Sequence, residues 1–416
     1  MLPSFESLID PVSAARFFQD YYEQKPLVVE GHPAKFKSLL SITEIDRFLA
    51  TTTPYHPDVF LTDAARELKI EDFTVASSEP PGRIDLARAY QLFGTGATIV
   101  LNQMHERLPQ LADLCRVVEH AFSHHFQTNI YLSPPNAQGF KTHFDSHDVF
   151  VLQVSGSKHW TVYNTLIELP LAGQAFEPEK HVAGGPTREF VLNAGDLFYC
   201  PRGLFHSARS TDEASLHITL GLVGKTWADV LAEALSEACL QSPVFRANLP
   251  VGFANPGFDT GKAEAAFRRL LEEFVGGARL QPILARFAQT FVTTRRPDLR
   301  GCLDELDAAP PISAESSIGP RPHLVFALRE EDQNVVLVYG PTQIKLPLFA
   351  RDELEAALAG PFVVRDLPGR LDEAGKLALV RRLVKEGVLI RMHGPSEGTS
   401  STSRADALCA QKVAMQ

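Results

Sequence analysis

The tripeptide His143-Phe144-Asp145 sets an imidazole and a carboxylate two residues apart, the spacing at which side chains of an extended strand project from one face. A second imidazole, His206, closes the segment GDLFYCPRGLFH, where Gly195-Asp196 makes a turn, a strand follows, and Pro201 and Gly203 form a second turn that presents the histidine. Two histidines and one carboxylate occupy one face of an octahedral metal and leave about three positions open, the donor set of non-haem Fe(II) oxygenation. Open positions admit both a chelating co-substrate and dioxygen. The expected metal and catalytic triad is therefore His143, Asp145 and His206.

Such donors need a rigid frame, and the chain around them reads as strands. From Thr128 to Val223 the runs TNIYLSPP, GFKTHFDSHDVFVLQVSG, SKHWTVYN, REFVLNAG, DLFYCPRG and SLHITLGLV are short, β-rich and punctuated by Gly, Pro and Asn. That texture predicts a closed jelly-roll barrel rather than alternating β/α units. The HxD stands at the start of the apolar strand VFVLQV, and G-D-x4-P-x4-H ends 63 residues beyond His143, a cupin-like arrangement. Upstream, PVSAARFFQDYYEQ has helical spacing, KPLVVEG reads as a strand, and Ser41 with Glu44 has capping-box spacing ahead of another helix. DVFLTD, DFTVAS and ATIVLN read as short strands before a helix around Pro109 to Phe126.

After the barrel the period turns helical. TWADVLAEALSEACLQ offers Thr226 as N-cap and an apolar face of Trp227, Val230, Leu231, Ala234 and Leu235, and two more helices are expected near Gly261–Val275 and Arg279–Thr293. Residues 308–322 are Pro/Ser-rich and read as a linker. HLVFALREEDQNVVLVYG then reads as a hairpin, and RDELEAALAG, PFVVRDL, LDEAGKLALVRRLVKEG and VLIRM as helix, strand, helix, strand. That order predicts a small winged-helix module over 323–392, and 393–416, without apolar period, a disordered tail.

The chain has 416 residues with 40 Lys+Arg against 50 Asp+Glu, a net charge of −10, so any nucleic-acid contact would have to be local. Over residues 342–392 nine basic residues meet seven acidic ones, and the weak excess favours protein interaction over direct nucleic-acid binding. Five scattered cysteines, Cys115, Cys200, Cys239, Cys302 and Cys409, include no CxxC pair; this fits a reducing compartment, and with no leader or membrane span in view the expectation is a cytoplasmic protein. There is no GxGxxG, GxxxxGK[ST] or GxSxG.

TNIYLSPPNAQGFKTHFDSHDVFVLQVSGSKHWTVYN with LNAGDLFYCPRGLFHSA resembles the JmjC-type ribosomal oxygenases, and FFQDYYEQKPLVVEG is similar to that family's amino-terminal segment. The resemblance implies an α+β architecture: a JmjC/cupin double-stranded β-helix barrel over 1–225, a helical dimerisation region over 226–307, the linker over 308–322 and the winged-helix module. It also implies an Fe(II)- and 2-oxoglutarate-dependent oxygenase that consumes O2 and hydroxylates a histidine or arginine side chain of a ribosomal protein, acting as a homodimer. By the same resemblance Lys158, fifteen residues beyond His143, holds the distal carboxylate of 2-oxoglutarate, and Asn129 and Tyr131 line the co-substrate pocket. Elementary charge pairing agrees for Lys158, since a dicarboxylate held by metal at one end needs a cation at the other.

His217, alternating with Leu216 and Ile218, reads as a neighbour of the site, and His120, His124 and His125 as surface histidines, since no HExxH pattern accompanies them. His147, Asp148, His159 and Trp160 receive no role. Two competing readings stand beside the ribosomal one: hydroxylation of another peptide such as a biosynthetic precursor, and a non-catalytic metal-binding cupin scaffold.

Overall fold

The computed structural model describes residues 4–307, 311–392 and 411–412, which fall into two units dividing between Gly224 and Lys225. The first unit runs α1 (Phe5–Ile9), α2 (Ala14–Asp20), β1 (Leu27–Val29), α3 (Ile42–Thr51), β2 (Val59–Thr62), α4 (Leu86–Gly94), β3 (Thr98–Leu101) and α5 (Pro109–Phe122). Then come β4 (His125–Ser133), β5 (Val149–Ser155), β6 (Lys158–Leu166), β7 (Pro186–Leu192), β8 (Leu197–Cys200), β9 (Leu204–Ser210) and β10 (Ser215–Val223).

These strands form two antiparallel sheets, one of seven strands in the order β1-β8-β5-β10-β4-β3-β2 and one of three in the order β7-β6-β9. Alternation decides what each face does. Along β5, Phe150, Leu152 and Val154 pack with the amino-terminal helices, while Val149 and Val151 turn inward to meet Trp160, Val162, Phe198, Cys200 and Leu204 between the sheets. On β4 and β10, Ile130, Leu132, Leu216, Ile218 and Leu220 take the helix side, which leaves Asn129, Tyr131, His217 and Thr219 facing the barrel interior. Phe17 of α2 is buried on the helix side, its ring edge-on to Tyr199 at 4.9 Å and to Phe5 at 5.4 Å. Ser41 caps α3 by accepting from the Glu44 amide and bonds the Glu44 carboxylate at 2.8 Å.

The structure corrects several expectations. His143, Phe144 and Asp145 do not lie on a strand: the segment's strand-like pairing is an isolated bridge between His143 and His206, and β5 begins at Val149. His206 lies within β9, which starts at Leu204 directly after the Pro201–Gly203 turn. DFTVAS contributes one isolated bridge, Thr74 to Ile84, because a 3-10 turn over Ile70–Asp72 leads into it. Helix α5 stops at Phe122, where Ser123 takes a left-handed conformation at φ 53°, so His124 and His125 are not on the helix with His120.

The second unit contains α6 (Trp227–Gln241), α7 (Thr260–Gly277), α8 (Leu280–Thr294) and α9 (Cys302–Asp307), then β11 (Ser317–Pro320), β12 (Val325–Glu331), β13 (Asn334–Tyr339) and β14 (Thr342–Pro347). It closes with α10 (Arg351–Ala359), β15 (Phe362–Val363), α11 (Glu373–Lys385), β16 (Leu389–Arg391) and the two-residue β17 (Gln411–Lys412). Thr226 caps α6 through a capping box with Asp229. Sheets form in the orders β15-β11-β16 and β14-β13-β12-β17. The expected linker departs from its composition: Ser317–Pro320 is the central strand of the first sheet, and Ile312 and Ile318 are buried with Leu379, Val380 and Leu383. Pro and Ser content signals a break in helix or strand, but not whether an isoleucine beside it is needed to close a core. Residues 308–310 of that segment lie outside the described residues, as do 393–410 and 413–416 of the expected tail, while Gln411–Lys412 pairs in parallel with Val325–Phe326. Among the described residues no helix is long and apolar enough to cross a membrane.

Candidate metal centre

One nitrogen from each histidine and one Asp145 oxygen all lie within 4.8 Å of one another, and among the described residues no other group of three His, Cys, Asp or Glu could hold an ion. His206 Nε2 is 3.6 Å from Asp145 Oδ2, His143 Nε2 is 4.0 Å from Asp145 Oδ1, and the two imidazole rings are 4.6 Å apart. Each ring's other nitrogen is already committed: His143 Nδ1 sits 2.8 Å from the Lys141 carbonyl and His206 Nδ1 3.0 Å from the Leu204 carbonyl. A carbonyl accepts only, so both Nδ1 atoms carry the proton and both Nε2 lone pairs point toward the carboxylate. That tautomer is the one a metal ligand needs.

Backbone bonds fix the frame. His143 and His206 exchange amide-to-carbonyl bonds of 3.1 and 2.8 Å, and the Gly203 amide donates to the Asp145 carbonyl at 2.8 Å. Gly203 has φ +81°, and a Cβ there would meet the Ile167 carbonyl oxygen at 1.8 Å, so this turn requires glycine.

Charge is matched to metal binding. Burial, with His143 beside it, lowers His206 to about 4, which keeps its imidazole neutral. Burial alone would raise Asp145, but His206, His143 and His147 outweigh it and hold the carboxyl below its usual range. The His143 and Asp145 side chains remain 25% and 32% exposed, whereas His206 is buried, so the donor set opens on one side.

Lys158, at the head of β6, shares its face with Trp160 and Val162 and points into the barrel at 4% exposure. Burial lowers it to about 7, and among the described residues no carboxylate pairs with it. Tyr131 faces the same interior, its phenol pushed up by burial and by the Asp145 carboxylate. Asn129 shares the Tyr131 face of β4 and accepts a bond from the Gln103 amide at 3.2 Å. His217 lies opposite Tyr131 in the strand register; burial, then the Lys158 charge, holds it well below the ordinary histidine value, and its Nδ1 has no hydrogen-bond partner. The alternation of SLHITLGLV was the available signal for its inward face.

The remaining candidates fall elsewhere. His159 points outward, while Trp160 lies 5.8 Å from the His206 ring. Asp148 is buried, accepting a 2.6 Å bond from the Tyr199 hydroxyl, with Arg202 linking it to Glu23. That network turns away from the donors.

Comparison with known proteins follows the same lines. Residues 100–230, which contain the donor set and most of the barrel strands, match the JmjC domain family. The chain is also similar to ribosomal oxygenases: ribosomal oxygenase 1 of Danio rerio is 31% identical over 261 residues, covering 60% of this chain and 46% of the relative. The bifunctional lysine-specific demethylase and histidyl-hydroxylase NO66 of Aedes aegypti is 30% identical over 243 residues, covering 57% of this chain and 38% of the relative. The chain therefore spans about half the length, or less, of these relatives. The structure of YcfD, a ribosomal oxygenase from Escherichia coli in complex with cobalt and 2-oxoglutarate, matches 92% of this chain and 99% of its own at a TM-score of 0.51 and 15% identity, a likeness of fold.

Proposed function

We propose that this chain is an Fe(II)- and 2-oxoglutarate-dependent oxygenase that hydroxylates a histidine or arginine side chain of a ribosomal protein. The observation that carries the reading is the convergence of His143, Asp145 and His206 with both Nε2 lone pairs free. The residues present fit the cofactors: two neutral imidazoles and one carboxylate suit Fe(II), and a buried lysine amine, which an incoming carboxylate would stabilise in its charged form, suits the far end of a dicarboxylate. When bound, Fe(II) with 2-oxoglutarate and dioxygen supplies an oxidant able to hydroxylate an unactivated C–H bond, leaving succinate and carbon dioxide.

The chain's own contribution is to bind and orient. His143, Asp145 and His206 hold the metal, Lys158 holds the distal carboxylate, and Tyr131 and Asn129 line the wall on which the co-substrate lies. Trp160, Val151 and Phe198 close the barrel floor to water. The exposed edges of His143 and Asp145 face the side from which a peptide side chain approaches. The names of the similar proteins support the ribosomal substrate, and the net charge of −10 suits a basic partner.

The second unit serves assembly in this reading. Trp227, Leu231 and Leu235 form one exposed stripe along α6, and Phe267, Leu271 and Val275 another along α7; two such stripes suit a homodimer. The β15-β11-β16 sheet with α10 and α11 is read as the winged-helix module, used for protein contacts. The buried Cys200, outside any disulfide, fits the cytoplasm.

The test is to incubate the Fe(II)-loaded protein with 2-oxoglutarate under air, with and without a ribosomal-protein extract, following succinate and one-oxygen mass shifts in peptides. Succinate with a shifted ribosomal peptide, both lost in His143→Ala, supports the proposal. Succinate without such a peptide moves the substrate elsewhere, and no succinate ends the oxygenase reading.

A further inference from the structure

The three donors sit where the sheet stops supporting them. Pairing of β6 with β9 is regular from Lys158↔Ser210 to Val162↔His206, then shifts and resumes only at Leu166↔Leu204. His206 thus lies at the last regular rung, and the His143–Asp145 segment has one isolated bridge. Beyond that bridge and the Gly203–Asp145 bond, support for the ligand separation must come from packing rather than from a β-ladder.

The side chains flanking the ligands supply it. Neighbours in an extended chain point to opposite faces, so Thr142, Phe144, Phe205 and Ser207 project away from the donors. On that far side the Tyr163 hydroxyl accepts from Thr142 Oγ1 at 3.3 Å and meets Ser207 Oγ at 3.2 Å, tying the neighbour of one histidine to the neighbour of the other. Beside it Phe144 and Phe205 pack at 5.2 Å, both buried.

The connection from β6 to β7, residues 167–185, is exposed along most of its length but turns two rings inward. Phe176 packs edge-on against Phe144 at 5.6 Å and Phe205 at 5.8 Å and lies 6.3 Å from His143 itself. His181 stacks on Phe176 and meets Phe144 at 5.1 Å, its Nδ1 accepting from the Glu177 amide at 3.0 Å. The strap is fastened at its start by the Ile167 amide on the Gly203 carbonyl, in the same turn that holds Asp145.

We propose that Phe176 and Tyr163 are positioning residues of the metal triad, bracing from the outer face the residues that flank His143, Asp145 and His206. This rests on the metal reading above and assigns to an exposed strap, whose Phe176 borders the His143 ring, a role in holding the site. The brace acts through Phe144, Phe205, Thr142 and Ser207 and touches neither metal nor co-substrate.

The experiment is a titration of the metal-free 416-residue chain with Mn(II), a redox-stable probe, following free Mn(II) by electron paramagnetic resonance. Loss of an outer support costs on the order of 10–100-fold in metal affinity. Phe176→Ala is expected to weaken Mn(II) binding by about tenfold or more and Tyr163→Phe by a few-fold, whereas Phe176→Tyr, which keeps the ring, binds as the parent does. Leu171→Ala, an exposed position in the same strap, leaves affinity unchanged. Melting of the metal-free variants separates positioning from folding: an unchanged midpoint with weakened Mn(II) binding supports the brace. Unchanged affinity in Phe176→Ala and Tyr163→Phe, or a loss matched by a lowered midpoint, overturns it. Equal Mn(II) binding by the parent and His143→Ala instead removes the metal reading itself.

Discussion

The imidazole of His217 stacks on the ring of Tyr131, centroids 4.7 Å apart and planes 9° from parallel. The two residues face each other across neighbouring strands, and Lys158 lies near enough to act on His217, so an aromatic wall and a lysine amine share the barrel interior. Removing His217 takes away one leaf of that wall without touching a donor. His217→Ala is expected to weaken 2-oxoglutarate binding while Mn(II) affinity stays at the parental value, which calorimetric titration of each ligand checks.

Lys158 gives a pH dependence with a definite sign. Its folded value of about 7 lies below the ordinary 10.5, so the fold favours the neutral amine. Its contribution to stability is fully present above about 10.5 and is lost as pH falls through 7. Ligand binding runs the other way, because the carboxylate needs the ammonium. The dissociation constant for 2-oxoglutarate is therefore expected to be flat below pH 7 and to rise with pH above it, and Lys158→Arg to remove the rise. A binding constant for the parent that is level from pH 6 to 9 contradicts this.

Asp145→Asn keeps the size and shape of the third donor and removes its charge. Succinate formation is expected to fall by more than the ~10–100-fold that loss of an outer partner costs. The folded midpoint changes little, since two backbone bonds between His143 and His206 remain. Succinate assay and thermal melting, run on the same preparation, check both halves.

Phe17 joins the amino-terminal helices to the sheet. It is fully buried against Phe5, Phe150 and Tyr199. Phe17→Ala is expected to cost about 3–5 kcal/mol. Denaturant unfolding measures it, and a cost below 1 kcal/mol would show the helices to be dispensable to the barrel.

The stripe on α6 tests the assembly proposal. Trp227 and Leu231 are 72% and 58% exposed, and the paired change Leu231→Glu and Leu235→Glu puts charge where an apolar partner would sit. Sedimentation should shift from dimer to monomer while metal affinity is retained.

Much of this was legible in the chain itself because alternation and capping are local. Val149 to Val154, the β4 and β10 interiors, Ser41 and Thr226 follow from the pattern of side chains one to four residues apart. The triad was legible from residue type and spacing, although HFD owes its geometry to a bridge and a turn rather than to a strand. What stayed hidden depends on distant partners: the burial of Ile318 needs Leu379 and Val380, and the meeting of Phe176 with Phe144 spans a connection whose composition reads as loop. Tyr163 showed no signal, since its partners flank two histidines 63 residues apart.

The strict division of β4 and β10, helix-side residues at even positions and site residues at odd ones, has a consequence for how this chain can change. Substitution on the even positions only alters packing, but adding or deleting one residue within either strand would exchange the two sets and bring leucines to the place of Tyr131 and His217. Length variation is therefore confined to the connections, and residues 167–185 are where it would meet least resistance from the ladders and most from the metal.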